Sequence, residues 1–66
     1  MTIIVNGNER QLKEGSKVSN LLETLNLSDK PVVVEHNKAA LFPREYELTT
    51  LNEGDKVEII TIAAGG

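Results

Sequence analysis

Few residues in this sequence are equipped for chemistry. His36 is the one histidine, and there is no cysteine. A metal site needs three or four ligands at compatible spacing, and His36 has no second histidine, cysteine or well-spaced carboxylate to join it. As a catalytic base it would need a serine or cysteine at a recognisable motif, which is absent. It reads as a surface histidine next to the Asn37-Lys38 turn. Glu45 and Glu47 stand two apart in a stretch without periodicity, and Glu53 and Asp55 flank Gly54. A solvated face accounts for both pairs. Gly54-Asp55 lacks the lysine and the spacing of a phosphate-cradling loop. The expectation is a chain with no catalytic residue of its own and no metal.

The remaining candidate is Gly65-Gly66, at the end of the given sequence. With glycine near 7% of residues, such a terminal pair arises by chance in about 0.5% of chains. Ala63 and Ala64 precede it, so four residues with minimal side chains follow the last predicted strand. A tail of this kind is thin and able to enter a narrow channel. Its carboxylate is ionised at neutral pH and resists nucleophilic attack until it is converted into a better acyl donor. Adenylation makes that conversion, and any β-carbon on the last residues would hinder the approach to the α-phosphate of ATP. Gly66 is therefore the expected site of adenylation and modification, with Ala63, Ala64, Gly65 and Gly66 as its tail. The bland alternative is a frayed end without a role.

The rest of the composition narrows the classes. Sixty-six residues make one domain, too small to enclose both a core and a deep substrate pocket. Seven basic and ten acidic residues give a net charge of −3, spread along the chain. Without a basic stripe, and with Phe42 and Tyr46 as the only aromatic residues, neither electrostatic attraction nor base stacking favours nucleic acid. No apolar run approaches membrane-spanning length and no leader pattern precedes Thr2, so a cytoplasmic protein is expected, monomeric when free.

The elements that must hold the tail follow from pattern. Thr2 to Val5, Asn6-Gly7 and Glu9 to Leu12 read as a hairpin with a primed turn. Glu14-Gly15 punctuates its end. Val18, Leu21, Leu22 and Leu25 at i, i+3, i+4 and i+7 line one face of a short helix, with Ser16 as N-cap and Asn26 as its left-handed stop. Pro31 opens the strand Val32 to Glu35, Asn37-Lys38 turns, and Ala40 to Phe42 suggests a short strand. The segment from Arg44 to Thr50 shows no period. After the Glu53-Gly54-Asp55 turn, Lys56 to Ile62 is the last strand. This order predicts an α+β fold, a mixed four- to five-stranded sheet on one helix, in the β-grasp (ubiquitin-like) arrangement. The domain is expected over 1–62 and a flexible tail over 63–66.

Alternation adds a surface. With Val57, Ile59 and Thr61 on one face of the last strand, Ile60 and Ile62 point the other way, expected beside Ile4 and Val33 on neighbouring strands. These four form a predicted partner-binding patch next to the tail.

The sequence also resembles a known family. Val-Val-Val-Glu-His-Asn at 32–37, Phe-Pro-Arg at 42–44, Thr50-Leu51, Gly-Asp-Lys-Val-Glu-Ile at 54–59 and Gly65-Gly66 are similar to the ThiS sulfur-carrier pattern of thiamine biosynthesis. The likeness covers essentially the whole chain. It implies a carrier whose Gly66 is adenylated by an ATP-dependent, E1-like enzyme of the ThiF type and converted to a thiocarboxylate. Sulfur from a cysteine desulfurase system would then pass from Gly66 to a ThiG-type thiazole synthase. In this scheme the chain itself binds no cofactor, and ATP is used by its partner. Carriers for molybdopterin or tRNA thiolation, a protein modifier conjugated through Gly66, and a binding module with an inert terminus remain open beside it.

Overall fold

In a computed structural model of the chain, described over residues 1–62, five strands form one sheet against a single helix. Strand β1 is Thr2–Val5 and β2 is Asn8–Gln11. The turn between them places Asn6 at φ 50° and Gly7 at φ 84°, the two positive angles a two-residue primed hairpin requires. The helix α1 spans Val18–Thr24. Then come β3 (Val32–His36), β4 (Ala39–Leu41) and β5 (Lys56–Thr61). The sheet order is β2-β1-β5-β3-β4. Strands β1 and β5 run parallel at its centre, while every other neighbouring pair is antiparallel.

A helix of seven residues has little stability of its own and needs a packed face. Val18, Leu21 and Leu22 supply it, fully or nearly fully buried in one cluster with Ile3, Val5, Val34, Leu51, Val57 and Ile59. Strand alternation accounts for the sheet's share of that core: 3 and 5, 34, and 57 and 59 all face the helix. Asn26, at φ 60°, ends α1 as expected. Leu27 N–H donates to Leu22 O at 2.8 Å and Asn26 N–H to Glu23 O at 3.0 Å, closing the helix in a Schellman motif.

The start of the helix differs from expectation. Ser16 does not cap it: it stands one residue before the N-cap position, and its hydroxyl donates to Lys13 O at 2.7 Å within the preceding turn. Lys17 occupies the N-cap position instead, and its N–H donates to the Asn20 side-chain oxygen at 2.8 Å. The first helical N–H groups are met by the aperiodic segment: Val18 N–H donates to Thr49 O and Ser19 N–H to Tyr46 O. A 3-10 turn at Pro43–Glu45 leads into that segment, and the buried Leu51, whose N–H donates to Ser16 O, follows it. The segment is thus a strap across the helix start rather than a free loop.

Candidate functional site

Among the described residues, no polar or charged side chain is buried, and no group of three or more His, Cys, Asp or Glu side chains is arranged to hold a metal ion. Two residues set aside by sequence reasoning do meet. His36, at the end of β3, places Nε2 2.7 Å from Asp55 Oδ2, with both side chains mostly covered. Asn37 Nδ2 donates to Asp55 Oδ1 at 3.2 Å, Asn52 N–H to Asp55 Oδ2 at 2.9 Å, and Lys56 N–H to Asn37 Oδ1 at 2.9 Å. The Asn37-Lys38 turn is thereby tied to the start of β5. His36 is thus a fastener rather than a lone surface residue. The missed signal was the 19-residue separation, which pattern reading does not bridge.

Burial of Asp55 works against its charge, but hydrogen bonds from His36, Asn52 N–H and Asn37 outweigh it and hold the carboxyl below the ordinary aspartate range. A carboxyl depressed in the folded state contributes stability above its unfolded pKa and loses it as pH falls through the folded value. Urea midpoints at about pH 6 and about pH 3 should therefore fall further in the wild type than in Asp55→Asn. Equal falls would show that this carboxylate adds nothing to acid sensitivity.

The exposed face of the sheet carries the predicted patch in altered form. Val33 and Ile60 are direct cross-strand partners, 40% and 56% exposed, and Ile62, 52% exposed, stands one outward position further along. Ile62 N–H donates to Pro31 O at 3.0 Å, so the pairing continues to the last described residue. Ile4 is not beside them. It is half-buried and paired with Lys56, four residues from Ile60, or about 13 Å along the strand. The facing Glu35 and Glu58 pair lies between. The apolar strip is Val33, Ile60 and Ile62, and Ile4 sits apart because the parallel register, not alternation, fixes its height.

Sequence reasoning did not single out Phe42 and Leu48 as exposed apolar side chains. The Arg44 guanidinium lies 4.7 Å from the Phe42 ring centroid, which partly covers the ring. Burial pushes the Tyr46 phenol upward, and Tyr46 lines an open groove with Glu23 and Glu47. Neither feature brings together groups that could perform a reaction. Ala63, Ala64, Gly65 and Gly66, the predicted tail and modification site, lie outside the described residues.

The ThiS family model matches residues 3–66. The chain belongs to the ThiS family. Its fold is that of the ThiS thiamine biosynthesis protein of Geobacter metallireducens, with a TM-score of 0.83 at 32% identity over the full length of both chains. The ycf40 protein of Porphyra purpurea is 35% identical over 66 residues, 93% of its length. A thiazole synthase of Paramagnetospirillum magneticum is 33% identical over the whole chain, which spans only 20% of that relative's length. ThiS proteins are small sulfur carriers of thiamine biosynthesis with the β-grasp fold, and this chain is a carrier of that type. The sheet and helix fulfil the β-grasp expectation. Two stretches that carried the resemblance, Glu35-His36-Asn37 and Gly54-Asp55-Lys56, meet at the Asp55 fastener, so they mark the fold rather than a reaction centre. No helix among the described residues is long and apolar enough to cross a membrane.

Proposed function

We propose that the chain carries sulfur as a thiocarboxylate on Gly66, formed and used by other proteins in the cytoplasm. An E1-like enzyme adenylates the carboxylate with ATP, releasing pyrophosphate. A persulfide sulfur, drawn from a cysteine desulfurase system, displaces AMP from the carbonyl carbon to give an acyl disulfide. A second thiol cleaves its S–S bond, leaving the thiocarboxylate and a disulfide. A thiazole synthase then takes the sulfur for the thiazole ring. Activation precedes substitution because a free carboxylate is a poor acyl donor, whereas AMP is a good leaving group.

The observation that carries this reading is the exposed strip formed by Val33 of β3 with Ile60 and Ile62 of the segment that leads in sequence to Gly66. A partner seated on three aliphatic side chains is positioned to receive the residues that follow them. The thiazole synthase role draws support from the relatives of that name in Paramagnetospirillum magneticum and Magnetococcus marinus, in which a stretch similar to this whole chain forms a fifth of a longer protein.

ATP–pyrophosphate exchange tests the reading. An active enzyme of the ThiF type should exchange label only when this chain is added, and no stimulation would contradict the proposal. Ile60→Asp tests the docking strip. Its side chain is already exposed, so the fold should persist, while a charge pressed into an apolar contact should weaken binding to that enzyme by about thirtyfold or more. Unchanged affinity by calorimetry would remove the strip from the interface.

A further inference from the structure

The backbone groups of β5 alternate between its two neighbours. On the β3 side Ile60 pairs with Val33, and Ile62 N–H donates to Pro31 O. The odd-numbered residues face β1. Ile4 N–H donates to Asp55 O at 2.9 Å, and Asn6 N–H donates to Val57 O at 3.0 Å. At Ile59 the β1 chain has already turned back, and the Asn6 side chain takes its place. Asn6 Nδ2 donates to Ile59 O at 3.1 Å, and Ile59 N–H donates to Asn6 Oδ1 at 2.7 Å. The carboxamide thus stands in for one more peptide unit of β1. The next residue in this row is Thr61: opposite Val32 it occupies a non-hydrogen-bonded position of the β3 pair, so its N–H and carbonyl face the β1 side, where the described β1 pairing ends at Val57.

We infer that Thr61 is the first rung of a strand-addition site, where an extended main-chain segment of the adenylating partner pairs with β5 in the line that β1 vacates at Asn6-Gly7. The open groups are one donor and one acceptor on a single residue, the complement an extended backbone offers. Ile60 and Ile62, exposed on either side of the rung, give such a segment apolar cover. The outer edge strand β2 is less suited: Asn8, Glu9, Arg10 and Gln11 are all exposed and polar, the pattern that discourages strand pairing. A strand added at Thr61 would align β5 immediately ahead of the residues that lead to Gly66. The identity of the partner rests on the carrier reading proposed above.

Thr61→Pro removes the N–H where it faces the open side, a position at which a sheet tolerates proline. Thr61→Val keeps the N–H and the shape of the side chain. With a ThiF-type adenylating enzyme as probe, Thr61→Pro should raise the dissociation constant about tenfold or more, and Thr61→Val should change it by less than about twofold. In the wild type, hydrogen exchange at the Thr61 amide should slow when the enzyme is added. This second measurement decides the matter even if the proline variant folds poorly. Wild-type binding and pyrophosphate exchange with no protection at Thr61 would overturn strand addition and leave the carrier reading standing. If the wild type neither binds the enzyme nor stimulates exchange, both fall.

Discussion

Deleting Gly66 is expected to reduce adenylation by a factor of about 10² or more while leaving the fold unchanged. One residue of extended chain spans about 3.3–3.6 Å, so the new terminus falls short of the ATP α-phosphate by that amount when the body is docked as before. A misplacement of about 1 Å can already cost about 10²-fold in rate. The buried core runs from Ile3 to Ile59 and does not involve the deleted residue. Pyrophosphate exchange and far-ultraviolet circular dichroism on the same sample separate the two effects. Exchange at the wild-type rate from the shortened chain would mean that Gly66 is not the activated residue.

Leu21→Ala is expected to leave the chain largely unfolded in buffer near room temperature. Leu21 is fully buried at the centre of the helix face, packed in one cluster with both central strands. Truncating such a leucine costs about 2–5 kcal/mol, because transfer energy is lost and the cavity collapses only partly. A single core in a domain this small supplies on the order of 3–5 kcal/mol of net stability. The loss and the total are of the same size. Urea titration and amide proton dispersion report the outcome. Leu48→Ala is the control: that side chain is 74% exposed, and its loss should stay within about 0.5 kcal/mol. A cooperative urea transition for Leu21→Ala near the wild-type midpoint would contradict the assigned core.

Much of this architecture was legible from local pattern. The hairpin turn at Asn6-Gly7, the helix from Val18 and its stop at Asn26 each depend on neighbouring residues, as does the inward face of Val57 and Ile59. What the sequence did not reveal depends on contacts between distant segments. Leu51 is a lone buried leucine whose place comes from hydrogen bonds to the helix start rather than from periodicity. The Ser16 cap failed because the helix starts one residue later and its first N–H groups are met by Thr49 O and Tyr46 O instead. Alternation gave the face of Ile4 but not its height, since the parallel register with β5 sets it opposite Lys56. His36 and Asp55 needed the β3 and β5 pairing to meet. The outward Val33, Ile60 and Ile62 followed from alternation, whereas the tail chemistry was inferred from residue types alone.

Intact-mass analysis of the chain isolated from its native host under thiamine limitation tests the carrier role most directly. Carriage on Gly66 predicts a population in which one oxygen is exchanged for sulfur, assigned to Gly66 by fragmentation and lost when the adenylating enzyme is removed. Detection only of the plain carboxylate while thiamine is being made, or of heavier conjugates joined through Gly66 to lysines of other proteins, would contradict it.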